Sequence, residues 1–389
     1  MTARLPTDAA KWMARALALA RRGEAHASPN PMVGAILVRQ GRIVGQGFHT
    51  YDGLRHAEII ALESAGNAAR GATLYINLEP CCHQGRTGPC TRAIIAAGVT
   101  RVVAAMRDPN PAVAGKGFRQ LRSAGIEVIT GIAEANAQRI NEAFIAWITK
   151  HRPLVTLKSA MTLDSHMILP PGRTGAGCTY SPRQTNRRSR WITSEAARAE
   201  VQRMRHASDA ILTGIGTVLA DDPLLTDRTG LPRRRPLLRI VLDSRLRLPL
   251  RSKIVRSANS DVLVFTAASA STARARALTH AGIEVITLPS RMIRRAPKRR
   301  HSERSEESLR LDLRQILAEL GRRQILSLML EPGPTLHQSA LDAGIVDKVR
   351  IFYAPILAGL LARRSSSQTT KPSATPIHEL RDARIETVG

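Results

Sequence analysis

The sequence is poor in aromatic residues: its 389 positions include five Phe, four Tyr and three Trp, or 3%. Proteins that bind single-stranded nucleic acid usually stack bases on aromatic side chains, so this scarcity argues against a nucleic-acid partner despite a net charge of +27. Only eight of the 58 basic residues are lysines, and local peaks of arginine lie at 183–190, 233–235 and 291–300. Anionic small molecules remain compatible with this charge, which we interpret mainly as basic surface loops.

Long apolar runs are also absent. No segment approaches the ~18–20 apolar residues that span a bilayer, so we expect no membrane partner. The N-terminal apolar stretch is interrupted by Asp8, Lys11 and Arg15, which predicts an amphipathic helix and not a signal peptide. Four cysteines, three of them within ten positions, do not form a secreted disulfide framework and indicate a metal site. We therefore predict a cytoplasmic protein.

The length predicts two α/β domains, since one domain usually takes ~100–200 residues. Residues 1–150 alternate strands and helices, beginning with a hairpin at 34–49, and this rhythm predicts a three-layer α/β/α sandwich. A predicted helix at 134–150 runs into Pro153, where we place the boundary to a second domain at 151–389. Two segments with the composition of loops, 169–188 and 290–310, interrupt that domain.

The strongest chemical signal is a His-x-Glu triplet at His56 and Glu58, followed by a Pro-Cys pair ending at Cys81 and by Cys90. One imidazole and two thiolates leave a fourth position on zinc for water, which is typical of a catalytic site. Glu58, two residues beyond the histidine, can carry a proton from that water to a leaving amine. The pattern is therefore typical of zinc-dependent deaminases.

Neighbouring residues leave alternatives open. His83 could compete as a zinc ligand, although we favour it as a substrate contact. Cys82 has the wrong phase for a ligand at the end of a strand, and Cys178 falls in a predicted loop, so we assign neither to the site.

The first half resembles the deaminase half of the bifunctional riboflavin-biosynthesis deaminase/reductases. The resemblance is carried by PNPMVGAILV, GFH, HAE, LEPCCHQGRTGPC, AAGVTRVV and DPNPAVAGKG, in which eight residues separate the two ligand cysteines. It implies a cytidine-deaminase-like fold, one zinc held by His56, Cys81 and Cys90, and Glu58 as the proton shuttle. It also implies that 2,5-diamino-6-(5-phosphoribosylamino)pyrimidin-4-one loses its ring amine in a pocket lined by Asn30, His49, His83 and Arg86.

Arg86 suits a ribose phosphate, because a guanidinium binds phosphate oxygens in a forked geometry. Two other members of the implied pocket have simpler explanations. Asn30 could be a turn residue between two prolines, and His49 a polar residue at the end of a strand.

The second half contains two glycine-rich turns, each of which follows a predicted strand. Gly214 and Gly216 follow a strand, but the third glycine of a dinucleotide fingerprint is missing. In MLEPGPTLHQSAL a strand ends at Glu331, Gly333 turns the chain and a helix begins near Thr335. Free N–H groups at such a helix start suit a phosphate, although an ordinary Gly-Pro helix start would have the same sequence.

These segments, in this order, resemble the reductase half of the same family, which has a fold like dihydrofolate reductase. The resemblance implies NADPH-dependent reduction of the ribosyl side chain to ribityl. The implied contacts of the phosphorylated substrate are Ser189, Arg205, Leu225, Arg228 and Glu331. The implied contacts of the cofactor are Ala160, Trp191, Thr193, Thr217, Asp221, Ser244, Gly333, Pro334, Thr335, Leu336, His337, Gln338 and Ser339.

Three of these contacts also have plain structural explanations: Arg205 as a solvated charge, Trp191 as core and Asp221 as part of a turn. We interpret Lys158 as structural.

The sequence departs from the family pattern at Ser165, where the family has glycine, at the two loop segments, and at the end, where a further strand would otherwise cover a sheet edge. These departures leave open a deaminase whose reductase half has lost its activity. A nucleic-acid base deaminase, with the net charge of +27 holding the polynucleotide, is a second alternative. The resemblance allows a homo-oligomer, but no residue specifies one.

Overall fold

The computed structural model describes residues 8–84, 88–111, 113–162, 195–293 and 308–354. Within these ranges the chain forms a five-stranded sheet, a seven-stranded sheet and a two-stranded ladder. The five-stranded sheet is built from residues before position 131, and the seven-stranded sheet from residues after position 153. We call these parts the N-terminal half and the C-terminal half.

The N-terminal half is a mixed sheet with helices on both faces. Its strands are β1 (Gly34–Arg39), β2 (Arg42–Phe48), β3 (Thr73–Leu78), β4 (Arg101–Met106) and β5 (Glu127–Thr130). Its helices are α1 (Ala9–Arg21), α2 (Ala57–Ala65), α3 (Cys90–Ala96), α4 (Lys116–Ser123), α5 (Glu134–Ile140) and α6 (Glu142–Lys150), with a 3-10 turn at Gly66–Ala69. The strand order is β2-β1-β3-β4-β5; β1 runs antiparallel to β2 and β3, and β3, β4 and β5 are parallel.

Alternating apolar side chains explain the three layers. Ala35 and Leu37 of β1 belong to the core shared with α2, α3 and α4, whereas Ile36 and Val38 belong to the core shared with α1 and α5. Successive side chains of a strand point to opposite faces, so one strand can serve both cores. The predicted three-layer sandwich is thus confirmed.

The predicted hairpin and its turn are also present. Gln40 and Gly41 both have positive φ, as the tight turn of a two-residue hairpin requires. The glycines of β2 serve a different purpose: a Cβ atom on Gly45 would lie 2.2 Å from the Ala61 carbonyl oxygen, and one on Gly47 would lie 2.5 Å from that of Ala57. Helix α2 therefore packs directly on the backbone of β2.

The predicted single helix at 134–150 is wrong. The structure divides it into α5 and α6 at Asn141, which is buried. The Asn141 side chain accepts a hydrogen bond from Met32 N–H (2.8 Å) and donates one to Met32 O (3.0 Å). An asparagine side chain that hydrogen-bonds to backbone groups competes with the hydrogen bonds of a helix. The pairing of Asn141 with the distant Met32 therefore favours a break in the helix, which the local sequence does not reveal.

The C-terminal half is an all-parallel sheet in the described residues. Its strands are β6 (Leu154–Thr162), β7 (Ala210–Gly214), β8 (Leu238–Leu242), β9 (Val262–Ala267), β10 (Glu284–Leu288), β13 (Ser327–Leu330) and β14 (Lys348–Ala354), while β11 (Ser290–Ile293) and β12 (Ser308–Leu311) form the separate ladder. Its helices are α7 (Glu195–His206), α8 (Ile215–Asp221), α9 (Lys253–Arg256), α10 (Thr272–His280), α11 (Leu313–Arg322) and α12 (Pro334–Asp342). The sheet order is β10-β9-β8-β7-β13-β6-β14.

The second predicted loop segment, 290–310, is only partly a loop, because its two ends pair as β11 and β12. Helices α8, α9 and α10 were not predicted. The segment 169–188 and residues 294–307 lie outside the described residues. Among the described helices, none combines the length and the apolar character that a membrane crossing needs.

The close packing of α2 on β2 gives a stability prediction. Gly47→Ala should lower the free energy of unfolding by about 1–3 kcal/mol, because the added methyl group overlaps the Ala57 carbonyl oxygen. Thermal unfolding followed by circular dichroism measures the change. Gly216→Ala is the control, since no atom lies within 4 Å of its added Cβ. Equal melting temperatures for both variants would contradict the proposed close contact.

Candidate active sites

Three side chains that are distant in sequence meet at one end of the five-stranded sheet. His56 is the N-cap residue of α2, Cys81 follows β3, and Cys90 is the first residue of α3. Their ligand atoms lie within 4.8 Å of one another. His56 Nδ1 is 3.2 Å from Cys90 Sγ and 3.5 Å from Cys81 Sγ, and the Cys90 backbone N–H donates to Cys81 Sγ at 3.3 Å.

These distances fit zinc. With Zn–N of about 2.1 Å and Zn–S of about 2.3 Å, a tetrahedral site separates nitrogen from sulfur by about 3.5 Å. Two sulfurs and one nitrogen are the soft donors that zinc prefers, and three protein ligands leave one position open. Neither Cys82 nor His83 belongs to this cluster of donors, so the predicted ligand set is the one that converges.

The electrostatics of the cluster also favour a cation. The pKa of Cys81 is lowered to about 4, mainly by a hydrogen bond with the Cys90 thiol. The same hydrogen bond raises the pKa of Cys90. A hydrogen bond with Cys81 raises the pKa of His56. Protons on His56 and Cys90 therefore compensate the negative charge of the Cys81 thiolate. A divalent ion would displace these protons on binding.

Glu58 lies in the first turn of α2, directly beside this cluster. Glu58 is 3% exposed, and this burial raises the pKa of its carboxyl group to about 7. The carboxyl group also contacts the Cys90 thiol through a hydrogen bond. A carboxyl group of that pKa can both accept and release a proton near neutral pH.

Two acidic residues at this site were missed as site residues. Glu79 is buried and lies two residues before Cys81 in the sequence. Its carboxylate accepts hydrogen bonds from the backbone N–H groups of Gly115 (2.8 Å), Asp108 (3.2 Å) and Phe118 (3.2 Å). It thereby holds the segment between β4 and α4 against the site. Asp108 lies on that segment, and burial raises its pKa to about 6, with Glu79 as a further cause. The DPNP motif around Asp108 was the signal available in the sequence.

The predicted substrate residues Asn30 and His49 are in contact. Asn30 Nδ2 lies 2.9 Å from His49 Nε2, and His49 Nδ1 lies 2.9 Å from the Arg55 carbonyl oxygen. The carbonyl can only accept, so Nδ1 carries the proton and Nε2 accepts from the amide. Burial lowers the pKa of His49, consistent with a neutral ring, which packs edge-on against His56 at 5.4 Å. His83 is exposed beside the site, and Arg86 lies outside the described residues.

The second candidate site lies at the carboxyl edge of the seven-stranded sheet. Strands β7 and β13 are parallel neighbours, and each continues into a helix through a glycine: Gly214 before α8 and Gly333 before α12. A Cβ on Gly333 would lie 3.2 Å from Thr217 Oγ1 of α8, and one on Gly214 would lie 3.8 Å from Leu336 of α12. The two helix starts therefore lie side by side at this edge of the sheet. We call the space between them the cleft; open α/β sheets usually bind ligands in such a place.

The described members of the predicted cofactor set lie on β6, after β8, on α8 and at the start of α12, and their roles stay predictions. Ala160 lies on β6, past the last residue of that strand that pairs with β13. Ser244 lies two residues past the end of β8, so both residues are at the carboxyl edge of the sheet. Asp221 is the last residue of α8. Pro334, Thr335, Leu336, His337, Gln338 and Ser339 form the first turns of α12, where burial lowers the pKa of His337. Trp191 and Thr193 lie outside the described residues.

The predicted substrate contacts of this half behave differently from one another. Arg205 and Glu331 form a largely buried, two-point ion pair with N–O distances of 2.7 and 3.0 Å, so each already has a charged partner. Leu225 is only 3% exposed and belongs to the core. Arg228 is exposed, and Ser189 lies outside the described residues. No observation tests these contacts, and they stay predictions.

Comparisons with known proteins agree with this geometry. Residues 6–106 match the cytidine and deoxycytidylate deaminase zinc-binding region, and residues 153–389 match the RibD C-terminal domain. The chain is 39% identical over 348 residues to the riboflavin biosynthesis protein RibD of Aquifex aeolicus, covering 90% of this chain and 87% of that protein. It is 39% identical over 363 residues to the Escherichia coli RibD, covering 90% and 89%.

Solved structures extend the similarity to the fold. Acinetobacter baumannii RibD, form 1, is 35% identical with a TM-score of 0.75, covering 93% of this chain and 92% of that chain. A Thermotoga maritima diaminohydroxyphosphoribosylaminopyrimidine deaminase/5-amino-6-(5-phosphoribosylamino)uracil reductase is 36% identical with a TM-score of 0.69, covering 90% and 88%. The predicted fold class, a deaminase-like half followed by a reductase-like half, is confirmed.

The donor set gives a metal prediction. We expect about one tightly bound zinc per chain, lost in Cys81→Ala and in Cys90→Ala because two remaining donors hold zinc poorly. Elemental analysis after dialysis against a chelator measures the metal. Cys82→Ala is the matched control and should keep its zinc, since that thiol lies outside the cluster. Stoichiometric zinc in either ligand variant would contradict the assignment.

Proposed function

The chain belongs to the RibD family and so combines a deaminase and a reductase of riboflavin biosynthesis, and we propose that its two clefts perform these two reactions separately. The His56–Cys81–Cys90 centre would carry the deamination, and the cleft between β7 and β13 the reduction. The observation that carries the proposal is the convergence of three zinc donors beside a buried carboxyl group.

The proposed first substrate is 2,5-diamino-6-(5-phosphoribosylamino)pyrimidin-4-one, whose ring amine is replaced by the oxygen of water and leaves as ammonia. His56, Cys81 and Cys90 would hold zinc, which when bound makes water nucleophilic at neutral pH. Glu58 would take the proton from the water and return it to the leaving amine. Its buried position and its pKa of about 7 support both transfers.

The proposed pocket around this centre is formed by Asn30, His49, His83 and Arg86. The neutral His49 ring, fixed by Asn30 and by the Arg55 carbonyl, supports this placement because it lies against the ligand His56. The guanidinium of Arg86 would bind the ribose phosphate.

The proposed second reaction is transfer of a hydride from NADPH, with a proton from water, to the ribosyl side chain, which becomes ribityl. The convergent starts of α8 and α12 support a cofactor phosphate there, since free N–H groups and the helix dipole favour an anion. The Arg205–Glu331 pair lies at the end of β13 beside this cleft, where it would contact the phosphorylated substrate. The proposed division into domains at 150/151 is supported by the two separate sheets.

The catalytic role of Glu58 can be tested directly. Glu58→Gln should keep the fold and the zinc but lose about 10²–10⁴-fold in deamination rate, because the amide cannot transfer the proton. Ammonia release from the diaminopyrimidine phosphate measures the rate. Glu63→Gln is the control on the same helix; that residue pairs with Arg55 at the surface and should retain full activity. Near-normal turnover in Glu58→Gln would remove this residue from the mechanism.

The cofactor cleft can be tested at its glycine. Gly333→Val should raise the dissociation constant for NADPH strongly, because the larger side chain fills the approach between Thr217 and the start of α12. Calorimetry measures binding, and the deaminase activity of the same protein serves as the internal control. Unchanged NADPH affinity would contradict the proposed cleft.

Glu331→Gln provides a contrast within the same site. It removes one charge of the Arg205–Glu331 pair but leaves the Gly333 turn intact, so NADPH should bind almost normally while use of the ribosyl substrate declines. Loss of NADPH binding in this variant would place the pair in the cofactor site.

A further inference from the structure

The arginine peak at 233–235 joins the two halves of the chain. Arg233 is anchored within the C-terminal half, donating to the Ser208 carbonyl oxygen at 2.8 Å and pairing with Asp227 at 3.2 Å. Arg235 donates to the Gln324 carbonyl oxygen at 2.8 Å. The two flanking arginines therefore fix the tripeptide, so that Arg234 between them is held toward the N-terminal half.

Arg234 makes three contacts with the N-terminal half. Its backbone N–H donates to the Ala25 carbonyl oxygen at 3.0 Å, its Nε lies 3.3 Å from Asp52 Oδ1, and its guanidinium carbon lies 3.8 Å from the centre of the Tyr51 ring. The Arg234 side chain is 16% exposed, whereas that of Asp52 is 75% exposed. The stacking on Tyr51 should therefore contribute more than the ion pair, which water screens.

Tyr51 and Asp52 lie in the middle of the loop from His49 to Arg55, which joins β2 to α2. The loop begins at His49 and ends at Arg55, and the Arg55 carbonyl oxygen accepts a hydrogen bond from His49. The next residue after the loop is His56, the candidate zinc ligand. The tripeptide also contacts the other side of the proposed pocket, since Arg235 donates to Ser28 Oγ at 3.1 Å, two residues before Asn30.

We propose that Arg234 is a positioning residue for the deaminase site: by stacking on Tyr51, the C-terminal half holds the His49–Arg55 loop and thereby the pyrimidine-binding side of the pocket. The inference rests on the proposed deaminase site at His56. It makes the affinity of one active site dependent on a residue of the half that carries the other. Residues 52–55 of the loop are exposed, and the Tyr51 N–H also donates a hydrogen bond to the His26 carbonyl oxygen.

The test uses the full-length protein loaded with zinc. Arg234→Ala should raise the deaminase KM about 3- to 30-fold, the range expected for loss of a cation–π contact, with kcat within about twofold and zinc content unchanged. Tyr51→Leu should have the same effect from the other side of the contact. The double variant should be no worse than either single one, because both remove the same interaction.

Two controls separate positioning from general destabilisation. Lys348→Ala removes an ion pair between the two halves, with Glu142, that does not touch the loop, and it should leave the deaminase KM unchanged. Reductase activity should be unchanged in Arg234→Ala, since the three contacts of Arg234 described above all lie in the N-terminal half. If Arg234→Ala does not fold, Tyr51→Leu alone decides the test.

Several results would overturn the inference: a KM within twofold of the wild type in the Arg234 and Tyr51 variants, additive effects in the double variant, or an equal effect of Lys348→Ala. A fall in kcat that parallels zinc loss would assign Arg234 to the fold instead. An active Glu58→Gln would defeat the proposed function, whereas an inactive Glu58→Gln beside a normal Arg234→Ala would defeat only this inference.

Discussion

The N-terminal half depends on bringing a histidine nitrogen and two cysteine sulfurs to within 4.8 Å at the junction of β3, α2 and α3. Such a cluster is costly to bury unless protons or a cation compensate the thiolate charge. Several packing features serve this convergence. The glycines of β2 let α2 approach its backbone, and Gly117 lets α4 approach the carbonyl oxygen of Pro80, next to Cys81. Glu79 then fixes the neighbouring segment through three backbone hydrogen bonds.

The C-terminal half uses a different constraint, the common edge reached by parallel strands. Strands β8, β7, β13 and β6 are consecutive neighbours in the sheet, although several other strands separate β13 from β7 and from β6 in the sequence. Their carboxyl ends bring Ser244, the Gly214 turn, the Gly333 turn and Ala160 to one edge. The cleft thus arises from topology and needs no continuous motif, which explains why an incomplete glycine fingerprint is compatible with a nucleotide site.

The two halves are joined by polar contacts at specific points. Asp347, just before β14, pairs with Lys150 of α6 at 3.2 Å and also binds Arg152 at 2.6 and 2.8 Å, so one carboxylate ties the end of α6 to the C-terminal half. Trp147 of α6 donates to the Gly321 carbonyl oxygen at 2.9 Å. The Arg234–Tyr51 contact lies apart from these and touches the loop that enters the metal centre. These contacts give the two active sites a fixed structural connection.

The sequence alone predicted the three donors that converge, the hairpin, most strands and the α/β class, because these depend on local patterns: apolar alternation, glycine turns and ligand spacing. The tertiary structure decided what local patterns cannot encode. Asn141 divides a predicted helix because its amide pairs with Met32, 109 residues away. The partner of Arg205 is Glu331, and Arg234 stacks on Tyr51 of the other half. Polar side chains choose their partners by proximity in the folded chain, and that proximity is set by strand order and helix packing.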